Sequence, residues 1–373
     1  MFNSFSAPLS VYLGVTNECN LTCVYCSAES GEKYHNELSL EEMYSLIGEL
    51  QQAKVFHVTI TGGEPFLRKD IFQIFERLLQ SNISISLITN ATLVNDRIAQ
   101  RLHSLGIKDI KVSLDATSPE ANDAGRGKAA FVRAYRGIKI LLQNGIRPAI
   151  LVTISNLNYK LIQNIADDLK EIDVQWVAFN MISAVGRGVC SFPVLNLSKD
   201  QIEEFVSLLR SVKSEHKGFV KEDILHWLDL PEQTRRLMQK YTDGVEQLQQ
   251  TMLPCGAAKT ACSITADGWV IPCNKFTGYR CGNIRDSSFL EIWKNERMEN
   301  IRSLAKKPTS TAHGCSSCGY SVRCAGGCRA EAYLHFGDLE APDPGCEILP
   351  DSGIHAYKKN QTLVQITVGT IGS

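Results

Sequence analysis

The 373 residues contain no apolar run long enough to cross a bilayer; the longest, such as ISISLIT at 83–89, are strand-sized. Neither sign of charge dominates, since 39 basic and 40 acidic side chains leave a net −1. That argues against nucleic acid or an anionic membrane as the main partner. The opening MFNSFSAPLS has no basic region followed by an apolar stretch, so no signal peptide is visible and the chain reads as cytoplasmic. A fourth cysteine is missing where chemistry would want one. CNLTCVYC at 19–26 holds three cysteines, and the next is Cys190. A tetrahedral zinc or a complete iron–sulfur cluster takes four protein donors.

What the chain does have is an ordinary apolar fraction, 44%, and thirteen cysteines. An odd number without a secretory signal fits metal or cluster ligation better than disulfides. Nine of them fall between 255 and 346, a composition shift that marks a second domain. Before it, apolar β-branched stretches at 11–16, 55–60, 83–89, 110–114, 149–154 and 175–181 alternate with helical spacing at 40–53, 69–81, 95–105, 129–144 and 158–171. Ser39 and Glu42 form a capping-box signature that starts the first helix. The expected class is α/β: six parallel strands joined by right-handed crossovers, curling into a partial (β/α)6 barrel.

Parallel strands carry their working residues at C-terminal ends and in the loops that follow. The three-cysteine loop follows strand one, TGGEPF strand two, TNAT strand three, DATSPE strand four and SAVGRG strand six. All these loops therefore share one rim. The expected organisation is a barrel over 1–200, a polar helical bridge over 201–250, a cysteine-rich domain over 251–350 and a tail over 351–373. ITADGWVIPC reads as a hairpin turning at Asp267-Gly268, and DSSFLEIWKNERMENIRSL as a helix.

Three thiolates leave one iron of a 4Fe-4S cubane open to a small molecule. At this point Cys19-x3-Cys23-x2-Cys26, on the loop after a first strand, closely resembles the signature of the radical S-adenosylmethionine (SAM) enzymes. The resemblance implies that SAM chelates the open iron and is cleaved to a 5′-deoxyadenosyl radical. It further implies SAM contacts from Tyr25, from Gly62, Gly63 and Glu64, from Asn90, from Ser113 and Asp115, and from Arg126. A zinc site borrowing Cys190, or three packed thiols, is the bland alternative. Arg126 read alone could equally be a solvated loop charge.

Further on, Cys255-x12-Gly268-x4-Cys273, Cys315-x2-Cys318-x5-Cys324-x3-Cys328 and Cys346 resemble the SPASM domain appended to such enzymes. By that resemblance Cys255, Cys262, Cys273 and Cys328 bind one auxiliary cluster, and Cys315, Cys318, Cys324 and Cys346 a second. Three iron–sulfur clusters and SAM are the implied cofactors. A zinc ribbon over 315–328 is the alternative. Cys190 and Cys281 are expected to be buried free thiols.

Within the SPASM enzymes, ELSLEEM, VTITGGEP, CGAAKTAC, ADGWVIPC, GNIRDSSFLEIWKN and CSSCGYSVRCAGGC…APDPGCE look most like the pyrroloquinoline-quinone and mycofactocin peptide maturases. A small precursor peptide is the implied substrate. With 18 residues before Cys19, a separate peptide-recognition protein is expected to present it, and flavodoxin or ferredoxin to supply electrons. Two rivals share the architecture. The heme-pathway decarboxylases resemble GGCRAEAYLHFGDLEAPDPGC. The anaerobic sulfatase maturases carry an Asp where this chain has Asn274, a neutral amide that cannot take a proton. No residue can be named as general acid or base; Asp267, Asn274 and Tyr279 are near candidates if the hairpin faces the barrel mouth.

Overall fold

The computed structural model describes residues 5–222, 255–304, 326–344 and 346. Six parallel strands run in chain order: β1 (Ser10–Gly14), β2 (His57–Thr61), β3 (Ser84–Thr89), β4 (Asp109–Ser113), β5 (Ala149–Ile154) and β6 (Val177–Met181). Between them lie α1 (Leu40–Gln52), α2 (Ile71–Gln80), α3 (Asp96–Ser104), α4 (Pro119–Arg126), α5 (Ala130–Gln143) and α6 (Ile162–Glu171). The helices bury one stripe each, as Met43, Leu46, Ile47 and Leu50 do on α1 and Ile74, Phe75 and Leu78 on α2. That single-sided burial is what turns the 3.6-residue period into a helix lying on the sheet. The capping box is present: Ser39 Oγ accepts from Glu42 N at 3.2 Å, and Ser39 N donates to the Glu42 carboxylate at 2.8 Å.

The sheet outgrows the expected six strands at both edges. After α7 (Gly188–Leu195) and α8 (Lys199–Glu215), β7 (Val220–Glu222) pairs in parallel with β6. The helical bridge expected from 201 therefore gives way to sheet at 220; residues 223–250 lie outside the described ones. On the other edge, β8 (Ala261–Ile264) pairs in parallel with β1, and β9 (Trp269–Ile271) and β10 (Gly282–Asn283) follow antiparallel. The hairpin turns at Asp267-Gly268 as expected, with Gly268 at φ +89°. The cysteine-rich segment thus continues the barrel's own sheet.

Curling is forced by what lines the cavity of about 450 Å³ on the inner face. Tyr12 of β1 and Lys221 of β7 both line it, with Thr59, Lys111 and Asn180 between. Six strand spacings on a flat sheet would separate those two by roughly 29 Å. Only a bent sheet brings them round one small space.

Two local readings differ. Residues 119–126 form a short helix where a loop was expected, begun by Ser118 as N-cap and Pro119 in the first turn. The helix expected over 286–304 is broken into α9 (Phe289–Lys294) and α10 (Glu296–Leu304). Asn295 causes the break: its side chain accepts from Met298 N at 3.1 Å and donates to Cys281 O at 2.7 Å. A side chain that caps a new helix competes with continuing the old one. A last helix, α11, spans Arg329–Phe336. No helix among the described residues is long and apolar enough to cross a membrane. Cys315, Cys318, Cys324 and the 351–373 tail lie outside the described residues.

Candidate functional site

The chain from Val15 to Gly31 forms the three-cysteine loop, and its own backbone closes it. Cys19 N donates to Gly31 O at 2.8 Å, Gly31 N to Asn17 O at 3.0 Å, and Cys26 N to Cys23 O at 3.2 Å. The loop after β2 lies directly on it: Gly63 N donates to Thr16 O and Glu64 N to Glu18 O, both at 2.8 Å. Gly62 sits at φ +126°, and a Cβ on Gly63 would stand 2.0 Å from Glu18 O. The glycines do permit close backbone approach, and what they approach here is the cysteine loop.

From β3, Asn90 donates to Asn20 Oδ1 at 3.0 Å and lies 3.9 Å from the Cys19 sulfur. Its carbonyl oxygen accepts from Thr92 N and Thr92 Oγ1. From α4, the Gly125 carbonyl takes Val24 N at 3.0 Å and the Arg126 carbonyl faces the Cys23 thiol at 4.0 Å. Tyr25 packs so tightly on Gly125 that a Cβ there would meet its ring at 2.6 Å. From β6, Arg187 donates to Cys23 O at 2.9 Å and Ser30 O at 2.7 Å, while its own N–H reaches Cys26 O at 3.0 Å. Arg187 escapes a sequence reading; the only signal is the pair of glycines flanking it, of which Gly186 adopts φ +59° against Cys26 O.

Glu64 is fully buried and accepts from Phe66 N, Thr89 Oγ1 and Asn90 N at 3.2, 2.8 and 2.8 Å. It ties the β2 and β3 loops together. Burial pushes its carboxyl up to about 7, against those hydrogen bonds. Burial likewise pushes the Cys19 thiol up to about 11, so a metal's positive charge is what would take that proton off.

At the end of β4, beyond half-buried Ser113, Asp115 Oδ1 accepts from Arg126 at 2.8 Å and from Thr153 N at 2.9 Å. Burial alone would lower the Arg126 pKa, and the Asp115 charge reverses this, so the guanidinium stays charged. Arg126 is therefore a buried partner of Asp115, not a solvated charge. Three buried polar atoms here lack a hydrogen-bond partner: Tyr25 Oη, Asp115 Oδ2 and Arg126 Nε. Buried polar groups are normally satisfied. Orphans beside three thiols fit a ligand rich in hydroxyl and charged groups. Among the described residues no three His, Cys, Asp or Glu side chains converge on a single ion. A cubane does not need convergence, because each iron takes its own thiolate. The donor set fits a cluster with a bound polar small molecule.

On the cysteine-rich side, Cys273 lies within electrostatic range of both Cys255 and Cys328, and burial pushes its thiol up to about 12. Cys262 is fully buried in the core, and the charges acting on it are those of Cys281 and Arg302. Cys346 follows Asp343, whose carboxylate accepts from Cys328 N at 2.7 Å.

Comparison with known proteins decides the family. The radical SAM superfamily pattern matches residues 13–169, and the SPASM iron-sulfur cluster-binding domain matches 255–319. The chain carries a radical SAM domain and a SPASM domain. The mycofactocin maturase MftC of Mycobacterium ulcerans is 28% identical over 353 residues, 92% of this chain and 89% of that protein. The Fe-coproporphyrin III synthase of Methanosarcina barkeri is 29% identical, covering 92% and 89%, and the AdoMet-dependent heme synthase of the same organism 29%, covering 92% and 98%. Among solved structures, Streptococcus suis SuiB bound to S-adenosylmethionine matches with TM-score 0.70 at 18% identity, over 92% of this chain and 78% of that one. At that identity the likeness establishes the fold. SAM and iron–sulfur clusters are the cofactors these two domains imply.

The radical SAM and SPASM parts meet through residues the sequence did not advertise. Lys275 donates to Ser183 Oγ at 2.6 Å, on the loop after β6, and to Glu331 at 2.9 Å; Ala184 N donates to the other Glu331 oxygen at 3.4 Å. The near candidates for acid or base lie differently. Asp267 accepts from Thr265 within its own turn, the Tyr279 hydroxyl donates to Arg297 O, and Asn274 is exposed. Of the two spare cysteines, Cys281 is buried as expected, whereas Cys190 is exposed because α7 turns it outward.

Proposed function

We propose that this enzyme oxidises a ribosomally made peptide, cross-linking or decarboxylating it, after hydrogen abstraction. The observation that carries the reading is the Lys275–Ser183 contact. It sets the segment bearing Cys273 on the rim that also bears Cys19, Cys23 and Cys26, so an electron acceptor has a place beside the substrate. Cys19, Cys23 and Cys26 hold the SAM-binding cluster. Cys255, Cys273 and Cys328 hold the first auxiliary cluster, with Cys262 completing it by resemblance; Cys315, Cys318, Cys324 and Cys346 hold the second. A cluster with SAM supplies a radical able to abstract hydrogen. Asp115, pinned by Arg126 and Thr153 N, keeps Oδ2 for a hydroxyl of the bound ligand, and Tyr25 and Arg126 Nε offer donors. The cavity of about 450 Å³ has room for one large side chain or a chain terminus. A separate small protein presents the peptide, and a flavodoxin or ferredoxin delivers electrons.

A second reading, oxidation or decarboxylation of a tetrapyrrole, is favoured by the heme-pathway relatives, which match at 29% identity against 28% for the maturase and cover the same 92% of this chain. One anaerobic experiment separates them. Reconstituted enzyme is given SAM, a strong reductant and short peptides encoded beside its gene, and mass spectrometry follows 5′-deoxyadenosine and each peptide. A peptide losing hydrogen or a carboxyl in step with 5′-deoxyadenosine is the expected result. Unchanged peptides with steady 5′-deoxyadenosine, and turnover of iron coproporphyrin instead, would transfer the assignment to tetrapyrroles. The electron paramagnetic resonance signal of the auxiliary cluster in Cys262→Ala, expected to change when one iron loses its thiolate, checks the fourth ligand.

A further inference from the structure

Lys275 follows Cys273 by two residues, and Glu331 follows Cys328 by three. Their side chains meet at 2.9 Å with Glu331 buried, and each also bonds the loop after β6, Lys275 through Ser183 Oγ and Glu331 through Ala184 N. The Lys275 ammonium and the Glu331 carboxylate thus face each other directly, two opposite charges held at one place beside Cys273 and Cys328. A buried carboxylate is costly unless paired, so Glu331 kept with Lys275 between two cysteine ligands and the loop after β6 needs a reason.

We propose that Lys275 and Glu331 are positioning residues that set the reduction potential of the auxiliary cluster held by Cys273 and Cys328, and fix that cluster against the β6 loop. The proposal rests on the auxiliary-cluster reading above. In that reading the substrate loses a hydrogen atom to the deoxyadenosyl radical, then one electron and one proton. The proton goes to solvent, and the electron passes through the auxiliary cluster to a one-electron carrier of the flavodoxin or ferredoxin class. Taking up an electron adds one negative charge near both side chains. The ammonium favours the reduced state and the carboxylate opposes it.

The two partners must therefore act with opposite sign. The test is an anaerobic redox titration of reconstituted holoenzyme, followed by electron paramagnetic resonance. The auxiliary signal is the one unmoved by SAM addition and lost in Cys273→Ala. Lys275→Met should lower its potential and Glu331→Gln raise it, each by at least ten-fold in the reduction equilibrium, about 59 mV for one electron. Lys275→Arg keeps the charge and should stay near wild type. Ser183→Ala leaves both charges and should keep the potential, while more 5′-deoxyadenosine is spent per product. Shifts of the same sign in Lys275→Met and Glu331→Gln, no shift in either, or a shift in Lys275→Arg as large as in Lys275→Met, would each overturn the proposal. A wild type with only the SAM-responsive signal would fail the auxiliary-cluster reading itself, and the proposal with it.

Discussion

The two groups of cysteines in this enzyme are built by opposite routes. Cys19, Cys23 and Cys26 share one short loop; the loop after β2, α4 and the loop after β6 hold its backbone, and the loop after β3 holds its Asn20 side chain. The SPASM cysteines Cys255 and Cys328, both within electrostatic range of Cys273, arrive from segments far apart in the chain. A loop donor set is shaped by neighbouring backbone before any iron arrives. A dispersed set gathers distant segments, so its metal contributes to holding the fold. On the proposed ligand sets, iron would be needed for chemistry alone in the first group and also for structure in the second.

The largest effects should divide along that line. Replacing Cys19, Cys23 or Cys26 by Ala should drop 5′-deoxyadenosine formation to background while leaving the melting temperature almost unmoved. Cys273→Ala or Cys328→Ala should do the reverse: some SAM cleavage survives, product is lost, and the melting temperature falls. Paired calorimetry and product assays check this. If the loop variants melt as early as the SPASM variants, the distinction between the two routes collapses.

Iron is not the only thing holding the SPASM part. β8 pairs with β1, Trp293 Nε1 donates to Phe5 O at 3.1 Å, and Phe289, Ile292 and Trp293 are buried in the same core as the barrel strands. Phe289→Ala should cost about 3–5 kcal/mol, the range for a buried aromatic cut to Ala. Urea unfolding should show that loss as one cooperative transition. A separate early transition confined to the SPASM part would mean that its packing on the barrel is weaker than its buried area implies.

Much of this was legible beforehand. The six barrel strands fall within two residues of their expected places, because strands burying one face under helices read as β-branched apolar stretches between turn signals. The rim followed from strand polarity alone. What stayed hidden depends on partners distant in sequence. Arg187, Lys275 and Glu331 are ordinary charged residues until the fold sets them against Cys23 O, Ser183 and each other. The added strand β7 was masked by the polar residues around it, and Asn295 breaks its helix by local capping that a hydrophobic period does not register.

On the barrel side, Glu64 gives the comparison a pH axis. Its folded pKa, about 7, lies above its ordinary 4.5, so between those values the unfolded chain has released a proton that the folded chain keeps. Stability should therefore decline as pH rises from 4.5 to 7 and level off above, by about 3 kcal/mol in all. Glu64→Gln should flatten that slope. Its absolute stability is a separate matter, since an amide nitrogen facing Asn90 N or Thr89 costs a hydrogen bond. Denaturation midpoints at pH 5 and pH 7.5 compare the slopes directly.

The smallest effect lies on the seam between the two regions. Arg285 reaches Glu42 of α1 with Nε at 2.5 Å and Nη2 at 2.9 Å, and the same carboxylate closes the capping box with Ser39 N. The Arg285 hydrogen bond and then the Ser39 N–H hold Glu42 down at about 2. A depressed folded pKa means the stabilisation is present above pH 4.5 and disappears as pH falls toward 2, the opposite slope to Glu64. Both side chains remain about one-third exposed, so water and salt screen them. Arg285→Ala should cost less than about 1 kcal/mol at neutral pH and lose its effect in high salt. A larger, salt-resistant loss would show that the seam is held by this ion pair more than by the buried aromatics beneath it.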